Sequence, residues 1–139
     1  MTFTAVSLAD RAATAFGQDA DGRTRLHRVF RNLTDKAVLA SEVNPSDGRG
    51  TRTFSEGEAA IALLLFPLVQ MAVDVRGLRR IADSLRAHDS LNGGTPIGRA
   101  LAAVSAGKAT TVVVTLRGLD SLHTFVRIDG ECPEGEAAE

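Results

Sequence analysis

Between Gly22 and Thr53 the chain places seven basic side chains, Arg23, Arg25, Arg28, Arg31, Lys36, Arg49 and Arg52, against three carboxylates, Asp35, Glu42 and Asp47. This stretch carries +4 in a protein whose formal net charge is -1, so the remainder carries -5. A guanidinium fork binds phosphate oxygens and pairs bidentately with guanine edges in the major groove, so such a cluster points to nucleic acid. The segregation also creates a local positive field on a surface that otherwise repels phosphate. The alternative is a solvated, salt-bridged helix face.

Enzyme chemistry has less to stand on. His27, His88 and His123 are scattered, and His27, set among arginines, is better placed to touch phosphate than to act as a base. The chain contains no Ser/His/Asp order, HExxH, Walker loop or GxGxxG. Cys132, the single cysteine, lies beside Pro133 in an acidic tail. It rules out an internal disulfide and has no cationic neighbour to favour a thiolate. Three distant histidines and one cysteine do not assemble a metal site, so neither a cofactor nor an enzymatic activity is expected.

The elements that must position the basic residues follow from periodicity. Leu26, Val29, Phe30 and Leu33 recur at i, i+3, i+4 and i+7, which predicts a helix from about Arg23 to Leu33. Arg25, Arg28, Arg31 and Asn32 then point largely outward. Upstream, Phe3, Val6, Leu8, Ala9, Ala12, Ala13 and Phe16 fit an Ala-rich helix over Thr4 to Phe16, stopped at Gly17. The QDADG segment between them reads as a polar turn. Two short helices about a tight turn are the layout of a helix-turn-helix, whose second helix enters the major groove.

Downstream, Lys36–Ser41 and residues 48–54 are expected to form the two strands of a wing. Pro45, Asp47, Gly48 and Gly50 make its turn, with Arg49 and Arg52 at its flanks. Ser55 and Glu58 match a capping box that opens a helix through AAIALLLFPLVQMAV, which Pro67 should kink or divide. That segment is apolar nearly all round, as a core helix or an oligomer interface is, with core favoured. Asp74 caps the next helix, with Val75, Leu78, Ile81, Ala82 and Leu85 as its buried stripe. Its outward Arg76, Arg79, Arg80 and Arg86 are expected to pair with Asp74 and Asp83 rather than with phosphate. His88–Thr95 is a linker, and Thr95 and Pro96 start a helix that ends at Gly107. TTVVVTL and LHTFVRI read as a hairpin turning at Gly118–Ser121, and the acidic tail from Asp129 is expected to be disordered.

The expected fold class is therefore mainly α with short β, an α+β chain. Residues 1–88 form a winged helix-turn-helix, 89–128 a helix plus hairpin, and 129–139 the tail. Hydrophobic content of 44% over 139 residues supports a modest core, built without Trp or Tyr and with six Phe. MTFTAVSLADR lacks the basic and long apolar regions of a secretory signal. The run from Ala59 past Pro67 is short for a bilayer, so a cytoplasmic protein with no membrane partner is expected.

The order helix, turn, helix, wing, helix, helix resembles the DNA-binding domain of the mercury-resistance regulator (MerR) type over roughly Phe3 to Arg86. The wing is DGRGTRTFSEGE, and Leu78, Ile81 and Leu85 match the family's LxxIxxxL stripe. The resemblance implies that Arg25, Arg28 and Arg31, with Arg49 and Arg52 of the wing, face DNA. It departs from the family in three respects. The Tyr-rich stretch after the recognition helix is missing, no C-terminal heptad coiled coil follows, and no cysteine cluster is present for metal sensing. The chain looks like a short, divergent relative with a different C-terminal module.

Residue pattern and resemblance together give an expected set of double-stranded DNA contacts: Arg23, Thr24, Arg25, His27, Arg28, Arg31, Asn32, Lys36, Arg49 and Arg52. The expected function is a sequence-specific transcriptional regulator, a repressor rather than an activator because repression needs only occupancy. A homodimer is expected through the C-terminal hairpin, since a lone hairpin is marginal in water and paired half-sites want two-fold symmetry. The alternatives are an excisionase-like architectural factor that bends DNA, or a protein- or ligand-interaction module that does not bind DNA.

Overall fold

The computed structural model describes residues 2–43, 51–88, 93–117 and 121–128. Within them the chain is mainly helical with two small antiparallel sheets, an α+β fold. In order, the elements are β1 (Thr2–Thr4), α1 (Ala5–Ala15), α2 (Ala20–Asp35), β2 (Glu42–Val43), β3 (Arg52–Ser55) and α3 (Glu56–Gln70). Then come α4 (Val75–Arg86), α5 (Pro96–Ser105), β4 (Thr110–Arg117) and β5 (Ser121–Ile128). Two compact units divide the chain, Met1–Ala82 and Asp83–Glu139.

Local hydrogen bonds explain where the helices of the first unit begin. Thr4 caps α1 by accepting from the Ser7 amide at 3.1 Å. Asp19 accepts from the Gly22 amide at 2.8 Å, so α2 starts at Ala20 rather than near Arg23. The DADG stretch is turn-like in composition, yet an Asp at the N-cap and a second acid, Asp21, in the first turn both favour a helix there. Ser55 accepts from the Glu58 amide at 3.2 Å, and Asp74 from the Gly77 amide at 2.8 Å, as the sequence predicts.

The β structure differs from expectation. Lys36–Ser41 is not a strand. Ala37 adopts φ 58°, and the Val38 amide returns to the Leu33 carbonyl at 2.9 Å, which folds the chain back at the end of α2. This buries Val38 and Leu39, whose apolar character had suggested a strand. The strand proper is the two-residue β2, pairing Glu42 with Thr53 and Val43 with Arg52. On the other side of β3 lies β1, an unexpected strand, with Phe3 opposite Phe54 and both rings buried. Phe3 therefore belongs to the sheet and not to the first helix. The strand order is β1-β3-β2.

Leu8 and Ala12 of α1, Leu26, Phe30 and Leu33 of α2, and Ile61, Ala62 and Leu65 of α3 form the buried centre with Phe54. Phe16 meets Phe66 at 5.1 Å between ring centroids. α3 is a core helix on its Ala59, Ile61, Ala62, Leu65 and Phe66 side, while Leu63, Leu64, Leu68 and Val69 are half-buried. Pro67 does not divide it. The helix continues to Gln70, because the exposed Pro67 lies in its last turn and removes only one amide from the ladder.

In the second unit, Thr95 accepts from the Gly98 amide at 3.1 Å and starts α5, and Gly107 at φ 78° ends it. β4 and β5 pair in register from Thr110↔Ile128 to Arg117↔Ser121. α5 lies against both strands, and Ile97, Ala100, Ala103, Val126 and Ile128 are buried.

Candidate nucleic-acid interface

α2 presents the basic residues because its buried stripe faces the other way. Gly22, Leu26, Phe30 and Leu33 are buried, whereas Arg23, Thr24, Arg25, Arg28, Arg31 and Asn32 are exposed. At 100° per residue, Thr24, Arg28 and Arg31 fall opposite the stripe, with Arg25 and Asn32 on one flank and Arg23 and His27 on the other. Arg25, Arg28 and Arg31 make no hydrogen bond or ion pair among the described residues.

Two cations beside this row are tied down. Arg23 reaches Asp10 of α1 at 3.3 Å, and Arg52 of β3 reaches Asp35, the last residue of α2, at 2.9 Å. All four side chains are about half exposed, and ion pairs of that kind are worth only about 0.2–1 kcal/mol. Breaking either ion pair therefore costs little in itself. Half-buried His27 shares an open groove of about 400 Å³ with Arg31, Asp35, Arg52 and the Thr4–Val6 start of α1.

Lys36 is exposed at the end of α2, and its carbonyl accepts from Arg79 Nη2 at 2.7 Å. Arg79 thus places a positive charge at the negative end of α2, while Arg86 pairs with Asp83 at 2.7 Å. Asp74 caps α4, accepting from the Gly77 amide. Of the expected contact residues, all but Arg49 fall on α2, its C-cap or β3. Arg49, the wing turn, residues 89–92 of the linker, 118–120 of the expected hairpin turn, Cys132 and the tail lie outside the described residues. Sequence reasoning missed Asp10 and Asp35. Their significance comes from arginines 13 and 17 positions away in the chain.

No family model matches the chain, and neither a curated protein nor a solved structure does. Among the described residues, no three His, Cys, Asp or Glu side chains group to hold a metal ion, and no helix is long and apolar enough to cross a membrane.

Proposed function

We propose that this protein binds double-stranded DNA with α2 in the major groove, as a winged helix-turn-helix regulator of the MerR-like kind. The observation that carries the proposal is the row of Thr24, Arg28 and Arg31, exposed opposite the buried stripe, with both arginines unpaired among the described residues. Free guanidiniums on a helix held by its own core are ready to meet phosphates and base edges without first breaking internal bonds. The α1–α2 pair followed by the β2–β3 hairpin agrees with a helix-turn-helix and wing, and Arg52 on β3 supplies a cation beside α2.

As a reader of paired half-sites, the protein acts as a cytoplasmic homodimer and a repressor. The test is a genomic-fragment pull-down followed by a salt titration on the enriched fragment and on a random duplex. Enrichment of an inverted repeat, with affinity falling steeply as salt rises, is the expected result. No enrichment and a flat salt dependence would reduce the Arg row to solvated surface.

A further inference from the structure

We propose that Asp35 is a specificity-determining residue, a carboxylate in the DNA-facing row that restrains Arg52 from engaging the backbone of random duplex. The proposal rests on the DNA-binding function above and names a residue outside its contact set. Asp35 follows Arg31 by four positions and Arg28 by seven, so it shares their face of α2, and its side chain is 54% exposed. It is therefore an acid within a surface that meets phosphate.

Helix stability does not explain an acid there. Asp35 ends α2, where a carboxylate opposes the negative end of the helix dipole and a cation would be favoured. Nor is it a strong staple for the hairpin, because the 2.9 Å pair with Arg52 is open to solvent on both sides. What the pair does accomplish is electrostatic. Arg52 comes to DNA already neutralised. To use it, a phosphate must displace Asp35 and leave a bare carboxylate beside the backbone.

Random duplex presents a cytosine edge at that point only by chance, so on most sequences the penalty stands. A site that sets a cytosine amino group near α2 gives Asp35 a donor, since carboxylates accept from that edge in the major groove. The penalty is then relieved at the right sequence and kept at the wrong ones. Discrimination arises from repelling the competitor as much as from attracting the target.

Asp35→Asn removes the charge and keeps the shape. Binding is titrated against a random 20-base-pair duplex and the enriched fragment over a salt series. The variant is expected to bind random duplex about three- to tenfold more tightly, and its salt dependence steepens by about 0.9 in log–log slope as Arg52 takes one more phosphate. The ratio of specific to random affinity falls. Asp35→Asn combined with Arg52→Ala loses the gain, and Asp35→Glu behaves as the parent. A mere staple would move the melting temperature and not the slope. Unchanged random affinity and slope in Asp35→Asn, with a parent that binds DNA, overturns this proposal alone, as does a gain that survives Arg52→Ala. Salt-independent behaviour of parent and variant alike overturns the DNA-binding function and this proposal with it.

Discussion

Arg28 and Arg23 are one turn and a half apart on α2, yet their surroundings differ. Arg28 stands free among the described residues, while Arg23 is held by Asp10 at 3.3 Å. A free guanidinium at the apex of the helix can read a base. On the proposed interface, one on the flank, already shared with a carboxylate, would position the protein on phosphate. Arg28→Ala is expected to lower affinity for the enriched fragment by about 1–3 kcal/mol and to relax its sequence preference, read by competition titration. Arg23→Ala is expected to weaken specific and random duplex alike, and by less. Neither should shift the thermal melt appreciably, since neither side chain is buried. Equal losses from both substitutions would mean that α2 lies differently on DNA.

Two alanines reveal how the helices stop. Ala37 and Ala72 hold φ 58° and 63°, the left-handed region that disfavours any side chain with a Cβ. Each closes a helix end, with the Val38 amide returning to the Leu33 carbonyl and the Val73 amide to the Leu68 carbonyl. Ala37→Gly and Ala72→Gly should each stabilise the protein by about 0.5–1 kcal/mol, the relieved strain being partly offset by glycine's freedom in the unfolded chain. A melting temperature that falls in either variant would contradict this. Arg79→Ala should act in the opposite sense and cost about 1 kcal/mol, because the Lys36 carbonyl loses a charged donor at the end of α2. The same substitution should leave DNA affinity nearly intact, separating support of the interface from membership in it.

For the molecule as a whole, charge placement and symmetry are the levers. The basic stretch lies within an otherwise acidic chain, so association with DNA should be local in origin and strongly screened by salt. On the proposed function, each chain presents one α2, and reading an inverted repeat would require two. Light scattering at micromolar concentration is expected to give twice the 14.6 kDa chain mass. A monomer there would count against the homodimer and against a palindromic operator together.

How much of this was legible beforehand depended on distance along the chain. The caps at Ser55, Asp74 and Thr95, the stripe of Leu26, Phe30 and Leu33, and the β4–β5 hairpin were all readable. Each is a signal carried within about one or two turns or across one short connection, where residue type sets geometry directly. The strand β1 was not readable, because three residues become a strand only when Phe54 lies opposite Phe3, fifty-one positions away. Val38 and Leu39 looked like strand and instead fill the core behind α2, since apolar runs do not specify which neighbour buries them. The basic residues were visible as a set, but which of them are free and which are tethered was not. Asp10 and Asp35 acquire their partners only when folding brings α1 and β3 beside α2.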